Sequence, residues 1–176
     1  AGSPVFAPQY GAGSSRCERL TALPRTSRPI LAATARSVNR VPDAVPTESV
    51  TAETLKGFLA QAYYQVTIDE DNDVIVSGAY TSIVRIMSDN VIRIWASFRL
   101  VEDLAVEQIL GAINTFNART VIVKAFLNLR NQRGPSLVFE TDMSYDGGLV
   151  PANFVSRLRA FEVIVMKARE FDEYTT

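Results

Sequence analysis

The sequence predicts an α+β fold, an antiparallel sheet with helices packed on it, in the order α-β-β-β(-β)-α-β-β-α. Three observations carry that expectation. Apolar residues recur at spacings of three and four in three separate windows, as amphipathic helices require. Between the windows the period drops to two. The period-two segments adjoin one another across polar turns, so they pair as hairpins and do not alternate singly with helices as in a doubly wound nucleotide-binding fold.

The elements follow in order. Residues 43–51 offer N-cap side chains, and Val50, Leu55, Phe58, Leu59 and Ala62 give a first helix of three to four turns, ending near Tyr63 and Tyr64. Tyr64, Val66 and Ile68 then alternate with Gln65, Thr67 and Asp69 as a half-buried strand does. The polar run 69–73 turns the chain into a strand at 74–77. Strands at 83–87 and 91–100 form a hairpin about Ser88, Asp89 and Asn90, with Ile92, Ile94, Ala96, Phe98 and Leu100 inward.

Glu102 and Asp103 open a second helix with acids where the helix dipole favours them, and Val106, Ile109, Leu110, Ile113 and Phe116 supply its buried stripe up to an end at 114–117. Val121, Val123, Ala125, Leu127 and Leu129 make one face of the next strand. A turn at 131–135 leads to its partner, with Leu137, Phe139 and Thr141 inward. Gly147 and Gly148 break the chain, Pro151 suits a first helical turn, and Phe154, Leu158, Phe161, Val165 and Ala168 stripe a closing helix.

The chain has 176 residues, 47% apolar and 21% charged, which is one domain with a sizeable core. Charge and proline are unevenly spread. Residues 1–46 hold six of the eight prolines and six arginines against Glu18 and Asp43, a net +4, whereas residues 47–176 carry 12 basic and 17 acidic side chains, a net −5. With no apolar periodicity to offset ordering entropy, residues 1–46 read as an extended or irregular N-terminal arm ahead of an α+β domain at 47–176. Its Arg/Ser-rich, acid-poor composition is also that of a transit peptide, but it lacks a long amphipathic stretch. No apolar run is long enough to cross a bilayer, so a soluble, cytoplasmic protein is expected.

Composition removes whole classes of chemistry. With no histidine there is no imidazole base, acid or metal ligand and no Ser-His or Cys-His nucleophile; the one cysteine, Cys17, forms neither an internal disulfide nor a thiolate cage. Asp69, Asp71 and Asp73 have the spacing of calcium-loop ligands. Val74 stands where the loop needs glycine and Tyr80 where it needs a bidentate glutamate, so a solvated turn is the reading. Gly147 and Gly148 precede a helix without the Lys-Ser/Thr of a phosphate loop. Glu140 and Asp142 share a strand face expected to be wet, and Lys124 is a lone outward lysine. No enzyme activity, cofactor or metal is expected.

Arg93, Trp95 and Arg99 share one strand face, a mixture of cations and stacking surface found in single-strand nucleic-acid binders and equally in the centres of protein interfaces. The net negative domain lacks the long-range attraction for phosphate, so a protein interface is preferred and no nucleic acid is expected. Met87, Ile122 and Phe126 join Trp95, Arg93 and Arg99 as the candidate partner or dimer surface, with Ile75 and Ile83 as further apolar residues on outward faces.

The stretches Asn114-Thr-Phe-Asn117, Val123-Lys-Ala-Phe-Leu127 and Phe139-Glu-Thr-Asp142, followed by Gly147-Gly148 and an amphipathic helix, resemble the YbjN family over residues 48–172. The resemblance implies a type III secretion chaperone-like α+β fold, a cytoplasmic bacterial sensory transduction regulator and no established enzyme activity. The arm has no counterpart in the family pattern. Asn114 and Asn117 read as caps closing the second helix. The functional expectation is a non-enzymatic protein-binding or regulatory module that is homodimeric or binds a protein partner, its arm docked on its own domain. The alternative is a small-ligand sensor with a pocket between sheet and C-terminal helix, where Arg119 or Lys124 fixes an anion.

Overall fold

The computed structural model describes residues 44–101, 104–130, 134–168 and 171–175. A single 3-10 turn, Thr47–Ser49, delivers the chain to Thr51. The Thr51 hydroxyl accepts from the Thr54 amide at 3.2 Å and so satisfies a first-turn donor of α1 (Ala52–Gln61). Leu55 and Leu59 form its buried stripe. The helix ends in a Schellman closure: Tyr64 N donates to Leu59 O and Tyr63 N to Ala60 O, with Tyr63 in the left-handed region at φ 68°.

Six strands follow: β1 (Gln65–Ile68), β2 (Val74–Ser77), β3 (Thr81–Met87), β4 (Val91–Arg99), then, after α2 (Val106–Arg119), β5 (Lys124–Asn128) and β6 (Ser136–Ser144), whose first four residues are all buried; α3 (Pro151–Met166) closes the order. All neighbours are antiparallel in the order β1-β2-β3-β4-β6-β5, so the second hairpin enters the sheet with β6 inside and β5 at the edge. β4 and β6, nine residues each, pair along their full length and form the spine.

One face of this sheet is the core. Val74, Val76, Val84, Ile92, Ile94, Ala96, Ala125, Leu137 and Phe139 meet Leu55 and Leu59 of α1, Ile109, Ile113 and Phe116 of α2, and Phe154, Leu158, Phe161 and Val165 of α3. All three helices therefore lie on the same side, α1 over β1 and β2, α2 over β5, α3 over β6. Gly148 (φ 115°) has a specific duty: an added Cβ would stand 2.9 Å from Val45 O, where Val45 and Leu149 exchange two backbone hydrogen bonds of 2.8 Å. Residues 44–46 of the expected arm are thus tied to the domain; residues 1–43, Cys17 among them, lie outside the described residues.

The α+β class and the order hold, with the optional fourth strand present. Several boundaries are corrected. α1 is ten residues, shorter than expected, and Val50 precedes it. Tyr64 belongs to the turn and not to the strand. β3 begins two residues earlier, at Thr81. Described α2 starts at Val106, while Glu102 and Asp103 lie outside the described residues. It runs on to Arg119, so Asn114 and Asn117 are inside it. Val106 and Leu110 are exposed, because the stripe that faces the sheet is the narrower Ile109, Ile113, Phe116. β5 is five residues, Lys124–Asn128: Val121, 91% exposed, and Leu129 continue the apolar alternation but have no strand to pair with.

Candidate functional site

The face opposite the helices is covered by no described element, and strand register arranges it in rows. One row runs across the whole sheet: Thr67, Ile75, Ile83, Trp95, Glu140 and Lys124 are successive cross-strand partners. The next row is charged. Arg85 faces Arg93 across β3 and β4, and Arg93 faces Asp142 across β4 and β6. Asp73, just ahead of β2, receives Arg85 in a two-pronged contact, Nε to Oδ1 at 2.6 Å with Nη2 on Oδ2. Arg93 grips Asp142 in the same way, at 2.9 and 2.8 Å, and lies 3.5 Å from Glu140. The sequence Asp73, Arg85, Arg93, Asp142 has no net charge, and each arginine has its own carboxylate.

These contacts set the local electrostatics. The Arg93 hydrogen bond holds Asp142 below the usual carboxylate range, while burial pushes Glu140 up against the opposing pull of Arg93. The pair expected as a wet carboxylate face is therefore bridged by one guanidinium. Asp73 is buried, not a solvated turn acid, and the turn itself is closed by Asp69 Oδ1 accepting from the amides of Asp71 and Asp73 at 3.0 and 2.9 Å. Among the described residues no acidic group forms a metal-type cluster. The Arg85 guanidinium lies 5.3 Å from the centroid of Trp95, so Asp73, Arg85 and Trp95 form one connected unit.

Trp95, Met87, Phe126 and Val138 line a shallow groove of about 440 Å³ with Arg85 and Arg93 at its side. The structure thus brings together Trp95, Arg93, Met87 and Phe126 of the expected surface. Arg99 shares the face but sits at the far end of β4, opposite Ser136. Ile122 is separated: it precedes β5 and lines a different depression with Asp142, Met143 and α3 residues including Arg157. Sequence reasoning missed Asp73, Arg85 and Val138. The pairing of Val74 with Val84 extrapolates to Asp73 beside Arg85, so a drawn β2–β3 register contains that signal.

Where a sensor pocket is expected, the structure fills the buried part of the interface between α3 and the sheet and leaves an open depression beside α3. The interface of α3 with the sheet is filled by Phe154, Leu158 and Phe161, and its polar group is Glu162, which accepts from Tyr64 OH at 2.8 Å. Burial together with that carboxylate pushes Tyr64 up to about 12. Lys124 is not poised for an anion, because its Nζ donates to Asn117 O and Thr120 O, the orphan carbonyls at the end of α2, at 3.1 and 2.7 Å. Neither Arg119 nor Lys124 lines the depression beside α3.

The Asn-x-x-Asn and Val-Lys-Ala-Phe-Leu stretches turn out to be one device. Asn117 does not close the helix; its amide pairs with the backbone of Ala125, accepting from N and donating to O, both at 2.8 Å. A side chain thereby stands in for a neighbouring strand on edge strand β5, as Lys124 ties that strand back to α2. Asn117→Ala removes both bonds from part-buried backbone groups, and the expected loss is about 2 kcal/mol in urea unfolding, together with increased self-association at high concentration.

Comparison with known proteins places the chain in a family and gives it a related fold. The family model described as "Putative bacterial sensory transduction regulator", YbjN, matches residues 51–172. A crystal structure of YbjN from E. coli, "a putative transcription regulator", superposes with a TM-score of 0.64 at 20% identity, covering 72% of this chain and 96% of that one. An uncharacterized protein from Methanothermobacter thermautotrophicus gives a TM-score of 0.48 at 15% identity, over 68% and 94% of the two chains. No curated protein matches. The matched stretch begins at the N-cap of α1, runs beyond α3 and contains the whole sheet, and on that extent the chain belongs to the YbjN family.

Proposed function

We propose that this chain is a non-enzymatic regulatory module that binds protein on the open face of its sheet, and that the occupant is a second copy of the chain. The observation that supports this most is the one-sided packing: three helices cover one face, and the other presents Trp95, Met87 and Phe126, with Val138 buried beneath them, beside a charge-balanced row. The six strands hold 38 residues, and at about 3.3 Å along and about 4.8 Å between strands their face covers roughly 600 Å². A standard interface takes about 800 Å² per partner. Two copies related by a two-fold through this face bring arginines of one against the carboxylates of the other, since both signs lie within one patch. The family description as a regulator supports a binding role over a catalytic one. The net −5 of residues 47–176 argues against nucleic acid as the occupant.

The single tryptophan of the chain lies on this face, so its emission reports on the contact. Light scattering on the full chain is expected to give a mass approaching twice 19.4 kDa at high concentration, with a red shift of emission on dilution. Phe126→Lys, at a position already 41% exposed, keeps the tryptophan and is expected to weaken self-association at least tenfold without unfolding the domain. A monomer at every concentration, or a dimer indifferent to Phe126→Lys, overturns the assignment.

A further inference from the structure

At the opposite end of the core from the Asp69 turn, the fold leaves a cavity of about 200 Å³ at the end of the sheet, where Arg99 reaches it from the open face and the other lining residues come from the core side. Its walls are Leu100 just after β4, Leu104 ahead of α2, Ile109 near the start of α2, Leu127 of β5 and Pro135 ahead of β6. An engineered protein cavity of about 150 Å³ stays dry and takes up benzene, so a lining of this kind is a place for a small apolar body. Arg99 also lines it and is the only charged residue of the lining among the described residues. Unlike Arg85 and Arg93, it makes no ion pair among the described residues.

We propose that this cavity is a ligand site for a small aliphatic monocarboxylate, its chain enclosed by Leu100, Ile109 and Leu127 and its carboxylate held by Arg99. The volume limits the apolar part to about six carbons, slightly beyond the benzene scale. A single guanidinium matches the two oxygens of a monoanion in a two-pronged contact, whereas a phosphate dianion calls for more positive charge than one arginine supplies. Because β4 carries Arg99 at one end and Trp95 in its middle, a ligand here sits on the same strand as the proposed protein contact. The site stands without that contact and is tested separately from it.

The full chain is titrated with hexanoate, with hexanol as the uncharged control, following thermal unfolding and ligand-observed saturation-transfer NMR. Hexanoate at ten times its Kd is expected to stabilise by about 1.4 kcal/mol and so to raise Tm by about 3–6 °C. Hexanol is expected to bind at least tenfold more weakly, and Arg99→Gln to bring hexanoate down to the level of hexanol. Val106→Trp, at an exposed position on the cavity rim, is expected to abolish binding of both. No saturation transfer to hexanoate overturns the site; equal affinity for hexanoate and hexanol overturns the carboxylate contact; binding that survives Val106→Trp overturns the location. Should Val106→Trp unfold, displacement of hexanoate by octanoate or benzoate, read on the wild-type chain, reports whether the site has the stated size: equal displacement by the two overturns it.

Discussion

Phe139→Ala is expected to lower unfolding stability by about 4 kcal/mol. Phe139 lies on the inner face of β6, the spine strand, and is buried to 2% exposure. Its ring meets Phe98 at 5.7 Å, Phe116 at 5.3 Å and Phe171 at 5.4 Å, all edge-on, so one side chain joins β4, β6, α2 and the segment after α3. Edge-to-face aromatic pairs contribute beyond their buried area, and truncation leaves a cavity that none of three rigid rings can fill by rotamer change alone. Phe139→Leu retains most of the volume and is expected to cost about 1.5 kcal/mol. Urea unfolding of the full chain measures both. A loss below about 2 kcal/mol for the alanine variant would show that the cluster collapses around the gap.

The extent to which the sequence discloses this molecule differs between core and surface for a physical reason. Leu55 and Leu59, Ile92 to Phe98 and Phe154 to Val165 are periodic because one face of each element is buried, and burial is a one-dimensional signal. It misleads where apolar residues outrun their partner. Val121 and Leu129 extend the alternation of β5, yet β6 offers β5 only Ser136 to Glu140, and Lys124 is drawn to the end of α2. The open face was legible as residue types, since Arg93, Trp95, Met87 and Phe126 do converge. Its ion pairs were not, because Asp73 with Arg85 and Arg93 with Asp142 depend on register between strands 12 and 49 residues apart. Asn117 was legible as a polar residue near a helix end, but its partner belongs to the following strand.

Replacing Arg85 by leucine is expected to cost about 3 kcal/mol, and the size of that loss separates two accounts of the charged row. The side chain of Asp73 is 4% exposed and that of Arg85 43%, so the two partners are not equivalent. Arg85→Leu leaves a carboxylate in a buried place without its counter-charge, the costly way to break an ion pair. Asp73→Asn leaves a guanidinium that water reaches, and its expected cost is nearer 1 kcal/mol. The double variant Asp73→Val with Arg85→Leu exchanges the pair for apolar packing and is expected to recover most of the stability. Self-association should not recover with it. Arg85 is the cation over Trp95, and its loss frees the indole from one of the groups that fix its orientation on the face. A double variant that is as stable as wild type but associates at least tenfold more weakly would assign the row to the interface. One that regains both stability and association would assign it to the fold alone.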